Sequence, residues 1–153
     1  MEIFVDADAC PVKDIIATIA KKYDVSVTMI TDTSHVISDG YSTIIVVDKQ
    51  NDSTDFAIVN RLRKGDVVVT QDYGLASLVL SKKSYAINQN GLEYTEQNIE
   101  TLLLQRFLNK KSRANGSRGS YIRKRTQQDN KDFEYKFEKL ISKIKKNAGL
   151  SSP

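Results

Sequence analysis

A single cysteine and a single histidine in 153 residues leave this sequence little scope for sulfur or imidazole chemistry. Cys10 has no partner for an internal disulfide, which agrees with a reducing compartment. A structural zinc site would lack its usual donors. No apolar run approaches the roughly 20 residues that cross a bilayer, and the start lacks the basic, apolar, small-residue succession of a secretory signal. The expectation is a cytoplasmic protein with no membrane partner. No internal repeat is visible. What is present suffices for one domain with a real core, since 40% of residues are apolar and 27% charged.

Acidic residues are scarce in the last third. Residues 1–100 carry 9 Lys+Arg against 15 Asp+Glu and residues 101–153 carry 14 against 4, so a formal charge of +4 splits into −6 and +10. Between Arg106 and Arg125, in "RFLNKKSRANGSRGSYIRKR", eight basic residues meet no acidic one. Gly and Ser there read as loose chain. Such a run offers counter-charge to a polyanion such as nucleic acid, or serves as a solvated linker.

Short apolar segments at 2–5, 25–30, 43–47, 66–70 and, more weakly, 84–87 are rich in Val and Ile and read as buried strands. Helical segments are expected at Pro11–Lys22, Thr54–Lys64, Tyr73–Ser81 and Thr95–Leu108. Strand and helix in alternation predict a three-layer, doubly wound α/β fold, its mainly parallel sheet of four or five strands covered on both faces. Phe133, Phe137, Leu140, Ile141 and Ile144 recur at helical spacing and predict a C-terminal amphipathic helix. The expected organisation is an α/β domain over 1–108, a basic linker over 109–130 and that helix over 131–148.

In an open parallel sheet the residues just past each strand share one edge, where ligands bind at the reversal of strand order. Asp6 and Asp8 follow the first strand, Asp48, Asp52 and Asp55 the third, Thr70 and Asp72 the fourth. Each Asp alone is explained as a cap on a helix N-terminus. Together, converging carboxylates raise one another's pKa unless a cation compensates, and oxygen-only donors favour Mg2+ or Mn2+.

The stretches "FVDADACPVK" (4–13), "TQDYGLA" (70–76) and "INQNGLEYTEQNI" (87–99) resemble the YaiI/YqxD family of small bacterial proteins, whose function is largely unassigned. The match covers most of residues 1–108 and is more diffuse in the tail. That family is in turn similar to PIN-domain nucleases, in which an Asp ends the first strand, an acidic residue sits on a middle helix and Thr-x-Asp follows the fourth strand. The resemblance therefore implies a PIN-like domain with Asp6, Asp8, Asp55 and Asp72 as ligands of Mg2+ or Mn2+, and Thr70 orienting one of them. It implies phosphodiester hydrolysis, with RNA the expected substrate. Lys13 would touch a substrate phosphate, and Arg113, Arg118, Arg123, Lys124 and Arg125 would hold the backbone without reading sequence.

Three other readings compete. Asp-x-Asp after a first strand also opens haloacid-dehalogenase-type phosphatases, where the first Asp is the nucleophile and the second the acid/base; that family also expects a later Lys and a final acidic pair, and no adjacent acidic pair follows the fourth strand here. Asp48 and Thr70 suit a response-regulator receiver, but the fifth strand runs into Asn88, Gln89 and Asn90 where a Lys belongs. A non-catalytic RNA-binding or assembly protein accounts for the basic run equally well. His35 in a polar loop reads as solvated, Asn88 and Gly91 as a turn, and Tyr121 as a lone aromatic among cations. Cys10 lies near a helix N-terminus without an identifiable base. Oligomeric state leaves no trace in the sequence.

Overall fold

The computed structural model describes residues 1–32, 38–49, 53–114, 116 and 123–150. His35, Asp52, Arg118 and Tyr121 lie outside these. The elements run β1 (Glu2–Asp6), α1 (Lys13–Lys22), β2 (Ser26–Thr31), β3 (Thr43–Val46), α2 (Ser53–Arg61), β4 (Val67–Val69), α3 (Tyr73–Ser81), β5 (Tyr85–Ile87), β6 (Glu93–Tyr94), α4 (Glu96–Ala114) and α5 (Gln127–Leu150). Strand order is β3-β2-β1-β4-β5-β6. The first five strands are parallel and β6 pairs antiparallel to β5.

Six strands stand where four or five were expected. The sixth has two residues, too few to show a period of two. It forms because the Asn88 side-chain oxygen accepts the N–H groups of Asn90 and Leu92, both at 2.9 Å, and folds the chain back. Gly91 takes a φ of +87° in this turn, and a Cβ there would come within 2.7 Å of the Lys136 side chain. Glycine is required on both counts.

Alternation along the strands divides the core in two. Ile3, Val5, Val27, Met29, Val67 and Val69 face α1 and α5, while Phe4, Ile30, Val68 and Ala86 face α2, α3 and α4. The fold is therefore three-layered and doubly wound. Phe133, Phe137, Leu140, Ile141 and Ile144 of α5 are all buried against α1 and the sheet. At roughly 1.5–3 kcal/mol for burying each such side chain, α5 contributes a large part of that layer. The C-terminal helix is core, not an appendage.

Several boundaries differ from expectation for identifiable reasons. Pro11 and Val12 form a turn ahead of α1. α2 stops at Arg61, short of Lys64, because buried Asp66 accepts the N–H of Arg63 at 2.7 Å and that of Glu2 at 2.9 Å, drawing the chain into the sheet's other edge. α4 continues six residues past Leu108 through helix-tolerant "NKKSRA" until Gly116, at φ +83°, donates its N–H to Arg113 O. The stretch expected as a linker, 109–130, is thus helical at both ends. No helix among the described residues is long and apolar enough to cross a membrane.

Candidate functional site

The strand order reverses between β1 and β4, with β1 leading out to β2 and β4 to β5. At that switch point the carboxyl ends of the two strands open a cleft of about 320 Å³. Asp6, Asp8, Cys10, Thr70, Asp72, Tyr73, Gln89 and Arg106 are among the residues that line it. Four of the five residues expected to be catalytic are therefore together.

Their positions follow from the backbone. The N–H of Ala7 continues the ladder to Ile30 O at 2.9 Å, so Asp6 is still held in register. Ala9 then takes a φ of +56°, a left-handed conformation that costs an alanine about 1 kcal/mol or more. The chain turns there, leaving Asp6 and Asp8 on the cleft before α1 begins. Across it, buried Thr70 follows β4, its carbonyl held by the Tyr94 phenol at 3.1 Å.

Thr70 joins the two strand ends chemically. Its hydroxyl donates to Asp6 Oδ2 at 3.0 Å and accepts the Asp72 N–H at 3.0 Å. Asp72 Oδ1 accepts from Gly74 and Leu75, capping α3, and lies 3.7 Å from the Arg106 guanidinium. Asp6 Oδ1 and Asp72 Oδ2 have no hydrogen-bond partner among the described residues. Burial pushes the Asp6 carboxyl above its ordinary range; Thr70 draws it back, and the charges of Asp8, Asp72 and Asp32 raise it again. Burial also pushes Asp8 up, yet hydrogen bonds from the Thr31 hydroxyl (2.6 Å) and the Asp32 N–H (2.8 Å) hold it below its ordinary range. Asp32 is raised, first by its side-chain hydrogen bond to Asp8.

Sequence reasoning passed over Asp32, although it follows the second strand as directly as Asp6 follows the first. Asp32 bears on the cleft through Asp8, and sequence reasoning likewise missed Arg106 and Gln89, which line it. Gln89 Oε1 is buried and has no partner among the described residues.

Other expected residues lie elsewhere. Asp55, in the first turn of α2, does not line the cleft. Asp48 is exposed beyond β3, which stands two strands from β1, roughly 10 Å away at ordinary strand spacing. Only β1 and β4 flank the switch point. Lys13 is half-buried, and its charge helps keep Asp8 ionised. Arg123 pairs with Asp129 at 2.8 Å, and Arg125 donates to Asn130 Oδ1, Asn90 Oδ1 and Gln89 O. Of these two, both expected on nucleic acid, Arg125 is held by the protein, while Arg123 is an exposed surface ion pair. Lys124 is exposed, and Arg113 lies at the end of α4. Burial pushes the Cys10 thiol up, which deprives it of the thiolate a nucleophile needs.

Among the described residues no three His, Cys, Asp or Glu side chains form a ready-made metal-holding group. The donors in the cleft nonetheless suit a hard cation: every candidate is an oxygen, the orphaned Gln89 Oε1 is an amide oxygen of the kind such ions accept, and the mutual repulsion at Asp6 is what a cation relieves. Mg2+ in particular binds through one or two carboxylates and keeps several waters.

The family model described as "Uncharacterized BCR, YaiI/YqxD family" matches residues 4–143, nearly the whole chain. The chain belongs to the YaiI/YqxD family. That match takes in α5 from Gln127 to residue 143, including buried Phe133, Phe137, Leu140 and Ile141. Among relatives, the UPF0178 protein of Ruminiclostridium cellulolyticum is 54% identical over 134 residues, 88% of each chain. That of Natranaerobius thermophilus is 43% identical over 145 residues, 95% of this chain and 99% of its own. No solved structure gives a significant match.

Proposed function

We propose that this YaiI/YqxD protein is a divalent-metal-dependent phosphodiester hydrolase acting on nucleic acid, with RNA the expected substrate. The observation that carries the reading is the Thr70 hydroxyl, which ties Asp6 to Asp72 across the switch point while Asp8 lines the same cleft. Asp6, Asp8 and Asp72 would hold Mg2+ or Mn2+, with Gln89 Oε1 a further oxygen. Such an ion supplies neutralisation of phosphate oxygens and lowers the pKa of a water. Thr70 fixes the Asp6 rotamer by its donated hydrogen bond and leaves Oδ1 for a ligand. The α3 cap does the same for Asp72. Arg106, beside Asp72, contributes positive charge where a phosphate would enter.

The test is cleavage of an end-labelled RNA by the full chain with Mg2+, with Mn2+, and with EDTA. Cleavage is expected with either ion, lost in EDTA and reduced at least a hundredfold in Asp72→Asn, whose amide oxygen can still cap α3. Metal-dependent cleavage that survives Asp72→Asn would refute the site.

A non-catalytic, nucleic-acid-binding reading draws on one observation, the engagement of Asp72 Oδ1 by α3 and Arg106. Binding without cleavage under every metal condition would select it. The phosphatase reading is disfavoured because both Asp8 oxygens accept hydrogen bonds, from Thr31 and Asp32, and Asp8 is held ionised, opposite to the needs of an acid.

A further inference from the structure

Next to the acidic cleft, and sharing Tyr73 and Arg106 with it, lies a second groove of about 420 Å³. Gln105, Asn109, Lys110 and Arg113 complete its lining. Arg106, Lys110 and Arg113 stand at i, i+4 and i+7 of α4, on one helical face. At 1.5 Å per residue they span about 10 Å along the helix axis.

Two contrasts set these cations apart. Lys110 and Arg113 make no ion pair among the described residues, while Arg123 is paired with Asp129 and Arg125 is hydrogen-bonded to Asn130, Asn90 and Gln89. The groove is also not a general basic surface. It opens on the cleft lined by Asp6, Asp8 and Asp72, and Arg106 stands at the junction, 3.7 Å from Asp72.

We infer that the α4 groove is the entry path of a single-stranded nucleic acid, whose phosphates follow Arg106, Lys110 and Arg113 toward the cleft. This rests on the proposed reading of the cleft as a phosphodiester site. A single strand is favoured because Asp6, half-buried in a cleft of about 320 Å³, can be reached by one flexible backbone and not by a stacked duplex. Tyr73, bordering both cavities, offers an aromatic surface to a base as the strand passes. The cations contact phosphate only, so RNA and DNA strands should bind alike.

The experiment is fluorescence anisotropy with the full chain in EDTA, where a metal-dependent site cannot cleave, using labelled single-stranded RNA and DNA dodecamers and a DNA duplex. Single strands of both kinds are expected to bind more tightly than the duplex. Lys110→Ala/Arg113→Ala should weaken them about tenfold and lower the slope of log K against log salt by about 1.4, at roughly 0.7 per phosphate contact. Lys145→Ala/Lys146→Ala, which removes the same charge from exposed positions on α5, should change affinity less than twofold. Equal weakening by the two pairs, equal affinity for duplex, no binding at low salt, or displacement by polyglutamate as effective as by unlabelled oligonucleotide would each overturn the inference. Binding that follows the α4 pair in a protein that never cleaves would uphold the groove and refute the hydrolase. Cleavage unaffected by the α4 pair would do the reverse.

Discussion

Replacing Thr70 by Val tests whether the hydroxyl at the end of β4 holds the two halves of the cleft together. Thr70 is 2% exposed, so almost no water can replace what is lost. The substitution keeps the branched shape but removes the donor to Asp6 Oδ2 and the acceptor for the Asp72 N–H. A hydrogen bond to a charged group contributes about 1.5–3 kcal/mol, and an unsatisfied buried N–H costs about 1–3 kcal/mol. Since Asp6 is partly solvated, a total near 3 kcal/mol is expected, or about 6–12 °C in melting temperature for a chain of this size. Thr70→Ser, which keeps both bonds and loses one methyl, should cost about 1 kcal/mol. The pH dependence adds a sign. The Asp6 carboxyl is raised in the folded protein, so the fold binds that proton more tightly than the unfolded chain, and stability falls as pH rises from the ordinary carboxylate range through the folded value. Removing Thr70 takes away the hydrogen bond that lowers this value. The deficit of Thr70→Val should therefore be smallest in acid and widen toward neutrality. Urea denaturation of the three proteins across pH reads both quantities. A Val variant as stable as the Ser variant at neutral pH, or a deficit independent of pH, would refute the reasoning.

Two further perturbations address the tail. Phe137 is fully buried and stacks on Phe133 with ring centroids 5.1 Å apart, so Phe137→Ala should cost about 3–5 kcal/mol in chemical denaturation; a loss below about 1 kcal/mol would show α5 to be peripheral. Arg125 donates at 2.7–2.8 Å to Asn130, Asn90 and Gln89, and Arg125→Ala should destabilise by about 2 kcal/mol and raise amide exchange at 88–92. Arg125→Lys should fail to restore that protection, because an ammonium lacks the planar fork that reaches three acceptors.

The layers of the fold were legible because each rests on a long pattern. Val- and Ile-rich runs alternate with helical segments from residue 2 to 87, and five apolar positions recur along α5. What was not legible depended on single side chains acting at a distance. Asp66 ends α2 through bonds to Arg63 and to Glu2, 64 residues away. Asn88 creates β6. Gly116, read as loose chain, is the stop of a helix that carries Arg106, Lys110 and Arg113. Basic composition marked 106–125 as a whole, yet could not say that Arg125 turns inward to Asn90 and Gln89 while Arg106, Lys110 and Arg113 stay exposed on α4. The cleft shows the same limit. Listing residues beyond strand ends found Asp6, Asp8, Thr70 and Asp72, but Asp48 and Asp55 entered that list on equal terms. Strand order alone separates them, and order is a property of crossovers that a linear list does not contain.

The charge split acquires a physical meaning from this arrangement. Three carboxylates of the acidic first hundred residues, Asp6, Asp8 and Asp72, meet at one strand edge, where burial and like-charged neighbours make Asp6 resist ionisation. A bare carboxylate cleft repels the polyanion it is proposed to cut. The remedy lies in the basic part of the chain, and α4 delivers it: a helix ending at Ala114 instead of Leu108 carries Lys110 and Arg113 out along the approach while Arg106 remains beside Asp72. Repulsion and attraction are thus placed in sequence along one path, with the cations outside and the carboxylates within. Under the proposed function, a strand drawn in by the first would be met at the second by a counter-ion, so the electrostatics favour the metal requirement that the EDTA comparison tests.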